Sequence, residues 1–269
     1  MSAIDSHFHL DRTLAALGLS PKGSLEDILR ATSVDEGEEI TIEGAVAVYC
    51  DPSTFPSVKT LNKFSDGLVV AVGVHPKKVS QASDAQVHTL QALLKTTRVR
   101  ALGEIGLDRS APPKEWSLQL RFLERVLPFL EARHVLVLHC RGMNGDDGTE
   151  AYLTLLALLR LSVERTQFIH LHCFTGNAYV LNRWLEFFPN TYFGFTDRKF
   201  SAAQVQALKL VEENKLLLES DAPYFPKAHR RVSTPGGLYQ VARTVANLRG
   251  WTPEYVLGLT LENARHLYW

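Results

Sequence analysis

The sequence predicts an α/β chain wound as a TIM-type (β/α)8 barrel, and three observations predict it. Eight short β-rich runs alternate with segments of helical periodicity. The chain has 269 residues, and about 250 is typical of one such barrel. Ionisable residues gather toward the C-terminal ends of the runs, the face on which barrels of this kind carry their chemistry. Parallel neighbours need crossovers, so regular strand–helix alternation implies a parallel sheet covered by helices. An open doubly wound sheet is the alternative, weakened because no glycine-rich dinucleotide fingerprint follows any run. No linker, repeat or low-complexity tract divides the chain, so residues 1–269 read as one domain.

The first run is 3–9 (AIDSHFH), and 11–41, mixing Gly, Ser and acidic residues, reads as a long loop. Runs at 42–50 (IEGAVAVYC), 68–75 (LVVAVGVH) and 100–108 (RALGEIGLD) follow. Over 114–133, Trp116, Leu120, Leu123, Leu127 and Leu130 recur three or four apart, one apolar stripe of a helix, and Pro128 predicts a kink in it. The next runs are 134–140 (HVLVLHC), 168–173 (FIHLHC) and 191–196 (TYFGFT). Segment 201–213 opens on Ser201 with Gln204 three residues later, a capping-box start. The last run is 215–221 (KLLLESD), and Thr252-Pro253 opens a helix over 252–268.

Composition narrows the classes. Lys+Arg equals Asp+Glu at 29 each, so the chain is no general polyanion binder, and any nucleic acid has to be gripped locally. The cysteines, Cys50, Cys140 and Cys173, are odd in number and widely spaced, which argues against a disulfide framework and for a reducing compartment. The first residues do not resemble a signal peptide, and no apolar run approaches the roughly 20 residues of a membrane span. A cytoplasmic or nuclear protein without a membrane partner is expected.

Residues i and i+2 of a strand face the same side, so His7 and His9 project together. Glu104 lies toward the end of the fourth run, His139 ends the fifth, His172 lies at the end of the sixth and Asp221 ends the eighth. A barrel brings all six to one face. Singly, an H-x-H pair or a strand-end histidine is more often packing; six such residues at the ends of five strands carry the weight together. Four imidazoles and two carboxylates exceed what one tetrahedral ion needs, so two divalent cations sharing a bridging carboxylate is the economical reading. Imidazole suits Zn, Fe, Ni and Cu, while the carboxylates keep Mn and Mg open.

The same parity sets other residues aside. Cys140 and Cys173 each follow a ligand and should face the outer helices as packing. His170 shares the side of His172 one layer deeper, as core or support. Glu219 stands in the same relation to Asp221 and can support the ligands. His134 opens its run at the far end, and His88 and His266 sit on helices; none is given a role.

With these residues in hand, the chain resembles the TatD family of metal-dependent deoxyribonucleases, within the metallo-dependent hydrolase (amidohydrolase-like) barrels. The matching stretches are DSHFHLD (5–11), VGVHP (72–76), GEIGLD (103–108), LHCR (138–141), HCFTG (172–176), SDAPY (220–224) and ENARHLY (262–268), in the family's order along the whole chain. HLHCFTG, GFT and TPGGL resemble its eukaryotic branch most. The resemblance implies that His7, His9, Glu104 and Asp221 hold one cation while Glu104, His139 and His172 hold the other, the pair being Mg, Mn or Zn. It also implies 3′-to-5′ exonuclease action on single-stranded DNA, sometimes RNA, and in some members cleavage at abasic sites. Supporting positions match at His75, Arg141, Phe174 and Glu219. Departures are Arg109, where the family usually has an aromatic; GMNGDDG after LHCR; and His229, Arg230 and Arg231 within 222–235. They leave the ligands intact and bear on substrate preference.

The catalytic group is then Glu104 as bridge, Asp221 as proton acceptor and later donor, and Glu219. Expected phosphate grips are His75, Arg141 and one of Lys77, Lys78, Arg109, Arg230 or Arg231, with a solvated surface charge as the plain alternative. Phe174 and Tyr224 can each stack on a base, worth about 1–3 kcal/mol, or simply pack. The expected partner is a single-stranded nucleic acid, DNA before RNA. Two rivals stand beside this. One is a small-molecule hydrolase of the same barrel, for a lactone, amide or phosphoester, favoured by the neutral charge. The other is a non-catalytic binding module retaining a metal, disfavoured by the intact ligand set.

Overall fold

Every predicted run forms a strand: β1 (Ser2–Phe8), β2 (Thr41–Tyr49), β3 (Leu68–Val72), β4 (Val99–Asp108), β5 (Val135–Arg141), β6 (Ile169–Leu171), β7 (Thr191–Phe195) and β8 (Leu216–Leu218). The computed structural model describes residues 1–32, 40–227 and 231–269. The strands lie in chain order in one sheet, and each neighbouring pair is parallel. The ring nearly closes where β8 returns to β1, and a side-chain bond spans the join: Ser6 Oγ donates to Leu218 O at 2.8 Å. Just beyond the end of β8, Asp221 N donates to His7 O at 3.0 Å and His9 N to Ala222 O at 2.8 Å.

Parallel strands covered on both faces read as continuous apolar runs, and β3 is buried along its whole length. Two apolar layers result. Inside the barrel pack Ile4, Val46, Val48, Ala71, Ala101, Val137 and Leu217. Between strands and helices lies the larger layer, with Phe8, Leu123, Leu155, Trp184 and Val245. The C-terminal helix contributes Leu267 and Tyr268 to the inner layer and so forms the barrel floor.

The region 11–41 is not simply a loop. Helix α1 (Leu10–Ala16) starts directly after His9 and buries Leu10, Thr13 and Leu14. Helix α2 (Leu25–Thr32) buries Leu25, Ile28 and Thr32. Ser24 and Asp27 cap α2 reciprocally: Ser24 N donates to Asp27 Oδ2 at 2.9 Å and Asp27 N to Ser24 Oγ at 3.3 Å. Two short stripes of three apolar or near-apolar positions were hidden by their polar surroundings; residues 33–39 lie outside the described residues.

Helices α3 (Val58–Leu61) and α4 (Asp84–Leu94) precede α5 (Pro113–Val126). Pro128 does not kink α5. The helix ends at Val126 and Pro128 sits in a 3-10 turn, Leu127–Phe129, because proline cannot donate into the helix and its ring crowds the preceding turn. The fully buried face is also displaced from the expected stripe, to Gln119, Phe122, Leu123 and Val126. Buried Gln119 earns its place by clasping the end of β4, accepting from Asp108 N at 3.0 Å and donating to Asp108 O at 3.1 Å. Then come α6 (Thr149–Ser162), α7 (Ala178–Phe187), α8 (Ala202–Leu210), α9 (Leu238–Arg249) and α10 (Pro253–Tyr268). The Ser201–Gln204 capping box is formed, and Thr252 caps α10 by accepting from Tyr255 N at 3.2 Å. Among the described residues no helix is long and apolar enough to cross a membrane.

Candidate metal centre

Strand parity places the first ligand candidates. Phe8 packs outward into the helix layer, which leaves His7 and His9 facing inward on either side of it. Glu104 and His139 sit within β4 and β5. Their approach depends on Gly106, whose φ is +149°, because a Cβ there would lie 1.9 Å from His139 O. His172 lies one residue past β6 and Asp221 three past β8. Asp221 has φ +49°, a left-handed conformation that aspartate tolerates better than most residues.

The two oxygens of Glu104 face different partners. Its Oε2 is 3.8 Å from both His7 Nε2 and His9 Nε2, and Asp221 Oδ1 stands 3.7 Å and 3.4 Å from the same nitrogens. Its Oε1 is 2.6 Å from His139 Nδ1 and 3.6 Å from both His172 Nε2 and His75 Nε2. Donors held at 2.0–2.1 Å by one tetrahedral ion stand roughly 3.3 Å apart, so the first set has nearly ligand spacing. His7 Nε2, Glu104 Oε2 and Asp221 Oδ1 are moreover buried without a hydrogen-bond partner. Buried polar atoms in folded proteins are nearly always satisfied; a cation among these three would satisfy them, so the residues present fit one. His75, Glu104 and His139 form a second group whose donor atoms lie within 4.8 Å of one another.

The charges are arranged to receive cations. Burial alone would raise the Glu104 carboxyl, but His75, His139 and His172 outweigh it and hold it well below the usual range. Burial would lower His172, yet Glu219, Asp221 and Glu104 push it up to about 10. His139 is raised against its burial by Asp108 and Glu104. Burial and neighbouring His172, stacked at 3.7 Å, hold His7 well below its ordinary value, and burial takes His75 down to about 3. Without a cation, the centre thus keeps ionised carboxylates against protonated His172, the proton occupying the role that a metal would take.

A layer of contacts orients these groups. His9 Nδ1 lies 3.1 Å from Val48 O, a carbonyl that only accepts, which fixes a proton on Nδ1 and turns Nε2 toward Asp221. Glu219 Oε1 lies 3.3 Å from His172 Nδ1 and accepts from Cys173 N. Its Oε2 is 3.2 Å from His170 Nε2. Gly194 makes room for that pair, since a Cβ there would lie 2.4 Å from both Glu219 Oε2 and His170 Nε2. Asp5 ties the segment after β8 to β1, accepting from Ser220 N at 3.0 Å, Ser220 Oγ at 2.5 Å and His7 N at 3.2 Å.

The centre opens into a cavity of about 650 Å³, lined by residues that include His9, Arg12, His75, Glu104, Asp221 and Tyr224. A cleft of about 230 Å³ adjoins it between the 142–148 loop and the start of α8, with Arg141 and Arg198 in its lining. Of the expected grips, Arg141 is exposed at this mouth. Lys77 and Lys78 also line the cavity but pair with Asp108 at 3.5 Å and Asp51 at 3.4 Å. Arg109 is not at the cavity: it is buried, paired with Glu150 at 3.1 and 3.2 Å, and stacked on Trp116 at 4.8 Å. His229 and Arg230 lie outside the described residues, and Arg231 is exposed. Of the two aromatics, Tyr224 is 44% exposed and accepts from Arg12 Nη1 at 2.9 Å. Phe174 is instead fully buried against Phe193 and Tyr152 at 4.8 and 5.3 Å, so its place is packing; Phe225 lines the cavity.

Cys140 packs in the helix layer, but Cys173 does not. It has φ +46°, lines the cavity and brings Sγ to 3.6 Å from Asp221 Oδ2. β6 ends at Leu171, so strand parity no longer applies two residues later. Sequence reasoning also passed over Asp108, 3.1 Å from His139 Nε2, although it ends its strand as the ligands do. Arg12 was missed because α1 was not foreseen. For Arg198 no sequence signal stood out.

Residues 4–269 match the family described as TatD related DNase. The chain is similar to the 3′-5′ RNA nuclease TATDN2 of Homo sapiens, at 30% identity over 98% of this chain and 35% of that protein. It therefore spans about a third of the human relative's length. It is 28% identical to the 3′-5′ ssDNA/RNA exonuclease TatD of Dickeya dadantii, over 98% of this chain and 94% of that one. Among solved structures, a TatD family hydrolase from Entamoeba histolytica superposes with a TM-score of 0.76 at 16% identity, covering 99% and 98% of the two chains. A TatD homologue from Escherichia coli gives 0.73 at 20%, covering 99% and 97%. These two likenesses bear on the fold.

Proposed function

This chain belongs to the family of TatD-related DNases, and from that premise we propose that it is a metal-dependent nuclease that shortens single-stranded DNA or RNA from the 3′ end. One observation carries the reading: a single buried carboxylate, Glu104, turns its two oxygens to two separate imidazole sets, beside the unpartnered His7 Nε2 and Asp221 Oδ1. Two divalent cations suit that arrangement. His7, His9, Glu104 and Asp221 would hold one, and Glu104, His139 and His172 the other, with His75 beside it. Such cations supply Lewis acidity, acidifying water and neutralising charge on the phosphoryl oxygens.

The chain's own groups do the rest. Glu104 fixes the spacing of the two sets. Asp221 directs Oδ1 toward His7 and His9 and keeps Oδ2 on the side of Cys173. From there Oδ2 accepts the proton of the attacking water and returns it to the leaving oxygen. Glu219 does not reach the cavity; its part is to orient His172 rather than to touch the substrate. Arg141 and Arg198, neither of which has a carboxylate partner among the described residues, grip the backbone locally, as a chain of zero net charge requires. Tyr224 and Phe225 offer rings to unstacked bases.

Oligonucleotides of either sugar, labelled at the 5′ or the 3′ end, test this with Mg, Mn and Zn. A shortening ladder from the 5′ label and immediate release of the 3′ label are expected. Absence of cleavage with every metal, while a small phosphoester or lactone is turned over, would replace the nuclease with the small-molecule hydrolase.

A further inference from the structure

Beneath the metal centre a chain of polar groups runs down the inside of the barrel to its floor. The Tyr268 hydroxyl at the end of α10 lies 2.8 Å from His170 Nδ1. His170 Nε2 lies 3.2 Å from Glu219 Oε2, and Glu219 Oε1 lies 3.3 Å from His172 Nδ1. His172 Nε2 in turn faces Glu104 Oε1 at 3.6 Å. His170 and Glu219 are inaccessible to solvent, and Tyr268 and His172 are only 3% and 4% exposed. The chain is thus closed off from bulk solvent.

We infer that Tyr268 is a positioning residue for metal loading: acting through His170 and Glu219, the floor of the barrel sets the tautomer and ring plane of His172. The inference rests on His172 being a ligand. Its logic is the direction of donation. An ionised carboxylate only accepts, so His170 must present Nε2–H and His172 must present Nδ1–H to Glu219. Neutral His170 is then bare at Nδ1 and needs a donor, which the Tyr268 hydroxyl supplies. Once a cation displaces its second proton, His172 keeps Nδ1–H toward Glu219 and offers its lone pair at Nε2, the nitrogen facing Glu104. The two contacts to Glu219 are close in distance but not in line with their ring nitrogens. Small ring rotations decide whether they come into line as hydrogen bonds, and this gives the anchor at Tyr268 its leverage. Gly194, beside both Glu219 Oε2 and His170 Nε2, leaves the space through which the chain passes.

A purely structural Tyr268 would act through its ring, which packs with Leu267 in the inner layer. Tyr268→Phe keeps the ring and removes only the hydroxyl. Partners of metal-ligating histidines typically govern 10–100-fold in affinity, so two links beyond that partner the expected loss is at the low end, about tenfold, for one of two cations. Zn and Mn titrations of the metal-stripped full chain read it by calorimetry. Nitrogen-15 spectra of labelled histidines in the Zn-loaded chain should show His172 coordinated through Nε2 in the wild type and tautomer exchange in the variant. Leu267→Ala, which loosens the floor but spares the hydroxyl, should leave affinity within about twofold. Affinity unchanged in Tyr268→Phe overturns the inference, as does an equal loss in Leu267→Ala. Should Tyr268→Phe not fold, Gly194→Ala, cutting the chain higher up, must give the same loss of one cation. If His172→Ala binds both cations normally, the ligand assignment itself has failed, an outcome distinct from failure of the relay alone.

Discussion

Replacing Glu104 by Gln preserves its volume and one acceptor oxygen while removing the charge on which both cation sites depend. The carboxylate lies within 3.8 Å of nitrogens on five histidines, His7, His9, His75, His139 and His172. Losing a group that merely supports a ligand costs 10–100-fold in affinity, so losing a shared ligand should cost at least about 100-fold at each site, or about 2.7 kcal/mol. In the metal-free protein the change also removes the countercharge of His139 and His172, so the gain in Tm on adding metal is read for each protein against its own EDTA-treated form. A cation at 100 times its Kd stabilises the native state by about 2.7 kcal/mol. At about 2–4 °C per kcal/mol for a domain near this size, wild-type protein should gain roughly 5–10 °C in Tm from each site. Glu104→Gln should show no such gain over its own EDTA-treated form and have no nuclease turnover. Calorimetric scans with and without EDTA, paired with the oligonucleotide assay, read both. A variant that still gains Tm with metal and still cleaves would refute a shared carboxylate.

Three further outcomes follow from the same geometry. Arg198→Ala should raise KM for oligonucleotides while leaving kcat within about threefold, and flatten the salt dependence of binding by about 0.7 in log–log slope for a lost single-strand phosphate contact; an unchanged slope would remove Arg198 from the path. Gly194→Ala forces a methyl to within 2.4 Å of Glu219 Oε2 and His170 Nε2, and overpacking of that kind should cost about 1–3 kcal/mol in denaturant melts. Phe174→Ala should cost about 3–5 kcal/mol of stability as a core truncation, whereas Tyr224→Ala should change stability by no more than about 0.5 kcal/mol and act on KM; reversed effects would exchange the roles given to the two rings.

The fold was legible because each strand of a parallel barrel is buried on both faces, which leaves a continuous apolar run such as Leu68–Val72 as a visible unit. The candidate ligands at His139 and at the His7–His9 pair were legible for the same reason, through period-two geometry, whereas at Glu104 a register shift between Leu102 and Ile105 interrupts the alternation. It fails past the strand ends. Cys173 looks like a packing residue by parity, yet a left-handed backbone turns it into the cavity beside Asp221. Arg109 looks like a free cation after a strand, yet its partner Glu150 stands on α6, a contact that no local pattern encodes. Phe174 follows a ligand within the HCFTG motif, but nothing in the motif says that Phe193 and Tyr152 enclose it. Residues whose side chains are directed by the strand itself could be read; residues directed by loops or by distant partners could not.

That division also explains how the centre is held. Cys173 and Asp221 both carry positive φ, a conformation that costs of order 1–2 kcal/mol for a residue with a side chain. Each is restrained by a hydrogen bond from its own backbone N–H: Cys173 N to Glu219, and Asp221 N to His7 O. The acceptors are a group that orients one candidate ligand, His172, and the backbone of another, His7. Strain at the ends of β6 and β8 is thus balanced by the contacts that aim His172 and join Asp221 to His7. On the proposed two-cation reading, a cation would not gather its ligands from a mobile ensemble but would enter a site already in register. Preorganised ligands of this kind keep the conformational cost of binding low. On this view His7 and His9 contribute less as an H-x-H pair than as the wall of β1 to which the loop after β8 is fastened.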